Sequence, residues 1–321
     1  MLTIYYIYIM PENYLNRRKA IQLIGITAGA SVLNSAEAAV PKIEKPAFAF
    51  SLNMSTIHGQ KLGFMKELEI ASKAGYRHVE IWVDSLHDYI KKGGTLTEVK
   101  TRLNDLGLKV ENCIAFAKWV VDDDATRNAA LEQMKKEMGM MAEIGCRRIA
   151  ATGMGLPPNP TTSLDAMAER YRAVLELGDK TGVVPILELW GFQKKLDKLS
   201  EVTYIAMESG HKSANILLDV FHLYRGKTSP DALSLINPTH VDILHMNDYP
   251  ATLSADVITD ADRIYPGDGI APIKQILKTL KRHDKPLILS AELFNAAYYK
   301  QDALTVAKTC LEKMKKITEA I

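Results

Sequence analysis

The chain has 321 residues, 47% of them hydrophobic and 24% charged, with a formal net charge of +2 at pH 7. That is enough apolar material for one large α/β domain or two small ones, at a charge level ordinary for a soluble protein. The near-zero net charge excludes nucleic-acid binding driven by bulk charge, and three widely spaced cysteines (Cys113, Cys146, Cys310) exclude a disulfide framework or a zinc-finger spacing.

At the start of the chain, Arg17, Arg18 and Lys19 precede an apolar run from Ala20 to Leu33 and then Ala36-Glu37-Ala38. A basic start, a short apolar core and an Ala-x-Ala site predict a secretory signal over residues 1–38. The paired arginines give it a twin-arginine character and imply an exported, periplasmic protein. A cytoplasmic protein with an N-terminal extension is the alternative. The apolar core, about 14 residues, falls short of the roughly 20 that span a bilayer, so no stable membrane insertion is expected. The opening "MLTIYYIYIM" carries no charge and precedes the basic residues, which points to Met10 as the true start.

From Phe48 the texture alternates. Eight short apolar runs read as strands: "FAFSLNM", "HVEIW", "KVENCIAF", "RRIAATGM", "VPILELW", "NILLDVF", "VDILHMN" and "PLILSAELF". Between them lie segments with helical spacing, such as Leu131, Met134, Met138 and Met141, and several stop at a glycine: Gly75, Gly145, Gly182. Glycine just past a helix end accepts the left-handed conformation there. Strand then helix, eight times in sequence, predicts parallel pairing with right-handed crossovers. The fold class expected is α/β, a single-domain (β/α)8 TIM barrel over residues 46–321. An open doubly wound sheet is the runner-up, but no glycine-rich dinucleotide fingerprint follows any strand; "GMGLPP" at Gly153 runs into prolines.

In such a barrel the chemistry gathers at the C-terminal ends of the strands. Strand five ends at Glu188, strand six at Asp219, strand seven at His245, and strand eight at Glu292; strand two adds Glu80. Three carboxylates and an imidazole at one mouth would repel one another without a cation. One divalent metal ion resolves this. An oxygen-rich set with a single histidine favours manganese, with magnesium, cobalt and zinc also compatible. Aromatic residues near the same strand ends (Phe116, Trp119, Trp190, Phe192, Phe294) could stack on a sugar face or pack under the loops. His58 and His87 fall on mouth-side loops and read as surface or substrate-contact residues. The long connection from Pro250 to Gly269 could fold over the pocket and carry Arg263 to the substrate.

Glu188, Asp219 with His222 in D-x-x-H, His245 in "HMND", Arg263 before "YPGDGIAP", and Glu292 together resemble the xylose isomerase-like barrel superfamily. Its members include tagatose-type epimerases, inosose dehydratases, hydroxypyruvate isomerases and the endonuclease IV type of apurinic endonuclease. The resemblance covers the chain from about Phe48 on. It implies that Glu188, Asp219, His245 and Glu292 hold the metal, that His222 and Arg263 reach substrate oxygens beside it, and that Glu80 lines the pocket; Trp190, from the strand-end aromatics, is expected at the substrate as well. It further implies an isomerase or epimerase that acts on a keto sugar or related polyol through a metal-stabilised enediolate. Glu188 and Glu292 would move protons on opposite faces of that substrate.

Three other readings stay open at this point. A metal-dependent lyase or dehydratase would use the same scaffold, since an enediolate can expel a leaving group. An apurinic endonuclease needs further histidines, and Asp262-Arg263-Ile264 lacks the one expected there. An inactive sugar-binding barrel is the third. The expected partner is a small carbohydrate, with no nucleic acid, and a homo-oligomer is compatible with the chain.

Overall fold

A computed structural model describes residues 46–321 of the chain. The predicted signal over 1–38 and the Met10 start lie outside these residues. All eight expected strands are present: β1 (Phe48–Asn53), β2 (His78–Trp82), β3 (Lys109–Ile114), β4 (Arg148–Ala151), β5 (Val184–Glu188), β6 (Ile216–Asp219), β7 (Ile243–Met246) and β8 (Leu287–Ala291). Their ladders are all parallel, in the order β3-β2-β1-β8-β7-β6-β5-β4. First and last strands pair through Phe48↔Leu287 to Leu52↔Ala291, which curls the sheet into a barrel. The seam between β3 and β4 carries no ladder. Side chains span it instead: Thr152 Oγ1 donates to the Ala115 carbonyl at 3.2 Å, and Arg148 Nη1 to that of Glu111 at 3.2 Å.

Helices end where the glycines predict. Gly75 (φ 100°) caps Phe64–Ala74 and Gly182 (φ 72°) caps Leu164–Thr181, both left-handed, a conformation that a Cβ disfavours. After β6 the usual long helix is replaced by a six-residue one, Val220–Arg225, and two 3-10 turns. Among the described residues no helix is long and apolar enough to cross a membrane.

Two apolar layers hold the strands. The larger lies between strands and helices. The smaller fills the barrel interior with Ile114, Ala150, Ile186, Leu217, Ile243 and Ile288. Side chains alternate across a strand, so residues two further along share the inward face. Ile186 therefore leads to Glu188, Leu217 to Asp219, Ile243 to His245, and Ile288 through Ser290 to Glu292. The apolar layer is the floor on which the polar layer stands.

At the opposite end, the strand starts carry an ion network built on two buried acids, Glu111 and Asp242. Arg148 lies 3.1 Å from Glu111 Oε2 and 2.9 Å from Asp242 Oδ2, and Arg282 and Lys285 close on Asp242 at 2.6 and 2.7 Å. His78 and Lys109 complete the surroundings of Glu111 at 2.8 and 2.7 Å.

Candidate metal centre and active site

Tilted strands stagger the polar layer. Asp219 pairs directly with His245, but Glu188 pairs with Leu217 and His245 with Ser290. Each of those partners is two residues short of the next acid. Offsets of none or two keep inward faces together while the register climbs around the barrel.

Asp219, His245 and Glu292 bring one donor atom each to within 4.8 Å of one another, all buried. Asp219 is fixed from both sides. Its Oδ1 caps the helix Val220–Arg225, accepting from the Phe221 and His222 amides at 2.7 and 3.1 Å, and also from Asn247 Nδ2 at 3.1 Å. Its Oδ2 faces the interior, 2.6 Å from Arg263 Nη1 and 3.5 Å from His245 Nδ1. Burial pushes this carboxyl up, but the charges of Arg263 and His245 outweigh it and hold Asp219 well below the usual range. His245 Nδ1 also lies 3.0 Å from Glu292 Oε2, and its Nε2 lies 2.8 Å from Glu80 Oε2. Burial would lower the imidazole, yet Glu292 and Glu80 raise it well above its ordinary value.

The donor chemistry fits a divalent cation. Two carboxylate oxygens and one imidazole nitrogen converge in a dry site. Both nitrogens of His245 are buried at ion-pair distance from acids, and neither makes a well-aligned hydrogen bond. A buried imidazole set among acids in this way is suited to ligation.

Above this trio lies a cavity of about 140 Å³. Trp82, Phe116, Trp190 and Phe294 form its aromatic wall; Thr152, Glu188, His222, Asp260, Arg263 and Glu292 supply its polar wall. Glu188 stands outside the trio and makes no hydrogen bond to any described residue. Burial, then the charge of Glu292, pushes its carboxyl up to about 8. Glu292 is raised by burial as well, against the opposing pull of His245 and Arg263. His222 is lowered by burial to about 4, which leaves it neutral at pH 7.

Arg263 is only 1% exposed. The Pro250–Gly269 connection does fold over the mouth, tied by an antiparallel bridge in which Asp248 and Ile264 exchange 2.9 Å backbone bonds. The guanidinium bonds Asp219 and Glu292 at 2.6 and 3.0 Å, and Asp260 Oδ1 through Nη2 at 2.6 Å. Phe221 and Phe294 flank it, 4.5 and 5.2 Å from ring centre to guanidinium carbon.

Glu80 does not line the cavity. It is fully buried beneath His245, because two more strand residues, Ile81 and Trp82, separate it from the mouth. Trp119 is likewise buried, donating its Nε1 to the Thr152 carbonyl at 2.8 Å and packing on Tyr171. His58 is exposed against Glu67, and Arg225 sits on the rim, bonded to the Ala255 carbonyl and stacked over Phe192. Sequence reasoning missed Asn53, Trp82, Thr152 and Asp260. Asn53 had a legible signal: Ser51 and Asn53 repeat the two-residue polar alternation at the end of β1.

The xylose isomerase-like TIM barrel family model matches residues 68–317. The inosose isomerase of Halalkalibacterium halodurans is 26% identical over 254 residues, which is 76% of this chain and 88% of that one. A 3-dehydroshikimate dehydratase of Pseudomonas putida is 22% identical over 73% of this chain and 36% of its own length. Among solved structures, the IOLI protein crystallised with a zinc atom superposes with a TM-score of 0.78 at 20% identity, covering 84% of this chain and 98% of that one. With the family model spanning most of the eight strands and the buried acid–histidine trio at their C-terminal ends, this chain belongs to the xylose isomerase-like TIM barrel family.

Proposed function

We propose that the protein is a divalent-metal-dependent isomerase or epimerase of a keto sugar or related polyol, with Glu188 and Glu292 as its acid–base pair. The observation that carries this reading is the Asp219–His245–Glu292 trio beside a fourth carboxylate, Glu188, that has no hydrogen-bond partner among the described residues. Glu188 completes the ligand set, and manganese suits its oxygen-rich character best. A divalent ion held there supplies the charge that polarises a substrate carbonyl and acidifies the adjoining C–H.

The chain's own residues do the rest. Without a cation beside it, burial and the charge of Glu292 push the Glu188 carboxyl up to about 8, so this side chain takes up a proton readily. Glu292 serves the opposite face, its Oε1 held by Asn53 at 3.0 Å and its Oε2 by Arg263 at 3.0 Å. Neutral His222 offers its Nδ1 to a substrate oxygen, and Arg263, whose donors go to Asp219, Glu292, Asp260 and His222, would reach substrate by giving up the Asp260 pair. Trp190 and the other aromatic rings press on the carbon face and exclude water.

The test is deuterium incorporation from deuterated water into a panel of keto sugars and cyclic polyol ketones, with manganese present. Incorporation by the wild type that is abolished in Glu188→Gln and in Glu292→Gln supports the pair; full exchange in both variants overturns it. The similarity to a 3-dehydroshikimate dehydratase favours elimination of water as a second reading, and product analysis of the same reactions separates the two. We also propose export to the periplasm on the strength of the Arg17-Arg18 signal. N-terminal sequencing of the mature protein should then start after Ala38; an intact N-terminus in the cytoplasmic fraction refutes it.

A further inference from the structure

We infer that Asn53 and Glu80 are positioning residues that decide which nitrogen of His245, and which oxygen of Glu292, face the cation. The inference rests on the metal reading above and extends it to side chains that touch neither cation nor substrate.

Glu80 is surrounded by donors. Its Oε2 accepts from Asn53 Nδ2 and Ser290 Oγ, both at 2.8 Å, and its Oε1 from Asn112 Nδ2 at 2.6 Å. His245 Nε2 lies 2.8 Å from the same Oε2. A cation held by Asp219 and Glu292 takes the lone pair of the nitrogen on their side, and Glu80, an acceptor on the far side, keeps the one proton on Nε2. In a neutral imidazole the lone pair is then on Nδ1, the atom that faces Asp219 and Glu292. Glu80 thereby selects the tautomer that ligates.

Asn53 sets the other half. Its Oδ1 accepts from Trp82 Nε1 at 2.8 Å and from the Ser55 amide at 3.0 Å, so its Nδ2 must point to the acids. There it donates to Glu80 Oε2 and, at 3.0 Å, to Glu292 Oε1. Glu292 Oε2 is left as the oxygen nearest His245 Nδ1. One amide thus links the aromatic wall at Trp82, the carboxylate beneath the histidine, and the acid that is both ligand and base.

Zinc is the probe. In Glu80→Gln the new amide meets a donor whichever way it turns, Asn112 on one side or Asn53 and Ser290 on the other. In Asn53→Ser the bridge to Glu292 is lost, together with the amide oxygen that accepts from Trp82 Nε1. Each variant should weaken zinc binding by roughly 10- to 100-fold in competition with a chelator. Native circular dichroism shows that they are folded. In the zinc-loaded wild type, ¹⁵N spectra of labelled histidine should show the proton of His245 on Nε2. Either folded variant holding zinc within twofold of the wild type overturns the inference, as does a His245 protonated on Nδ1. A wild type that takes up no zinc is a separate result: it removes the metal reading, and this inference falls with it.

Discussion

Replacing Glu188 by glutamine should make the metal-free protein more stable while it removes the proton transfer proposed for this side chain. The side chain is buried and has no hydrogen bond to any described residue to lose, so the swap removes the titrating group and little else. Its carboxyl titrates at about 8 in the folded chain against 4.5 as the reference value. Between those values the folded state binds more protons than the unfolded one, so stability falls as pH rises. At pH 4.5 the cost of carrying the acid is about 0.4 kcal/mol; by pH 7 it has grown to about 3 kcal/mol, and above pH 8 it levels off. For a chain of this size that is a rise in melting temperature of about 4–5 °C for Glu188→Gln at pH 7. Thermal and urea denaturation of chelator-treated wild type and variant, run from pH 4.5 to 8.5, measure the gap directly. A gap that is absent at pH 7, or that does not widen between pH 4.5 and 8, refutes the claim that Glu188 sits dry and unpaired. Stability gained at the expense of turnover is the mark of a group kept for chemistry.

The ion network at the other end of the barrel should behave in the opposite sense. Burial would raise Glu111, but His78, Lys109 and Arg148 hold it at about 2. It therefore contributes about 3 kcal/mol that is fully present above pH 4.5 and lost as pH falls toward 2. Glu111→Gln should destabilise at pH 7, and the difference in urea midpoints should close on acidification; a pH-independent difference contradicts the ion pairing. Asp219 joins two roles that its variants separate. In Asp219→Asn the amide oxygen can still cap the helix Val220–Arg225, whereas Asp219→Ala gives up the cap as well, about 1 kcal/mol more. Both should lose the cation, read as metal content after dialysis. Equal stability of the two variants would show that the cap contributes nothing.

Much of the fold was written in local sequence. Apolar runs of four to six residues, separated by helical spacing and closed by glycines such as Gly75 and Gly182, specify strand, helix and order, and the strict alternation leaves a parallel barrel as the natural closure. The same two-residue period places Glu188, Asp219, His245 and Glu292 on the inward face above Ile186, Leu217, Ile243 and Ile288, so the candidate site follows from strand parity alone. What parity does not contain is height along the barrel and the partner across it. Glu80 shares the inward face but stops two residues below the mouth, which makes it the neighbour of His245 Nε2 and not of the substrate cavity. Asn53 lies 239 positions from Glu292, and only closure of β1 on β8 brings their side chains to 3.0 Å. Arg263 reaches Asp219 because the Asp248–Ile264 bridge folds its loop back over the mouth. Sequence periodicity fixes the face on which each residue lies, since that depends on local backbone geometry; closure and strand stagger decide which residues meet, since those depend on the whole barrel at once.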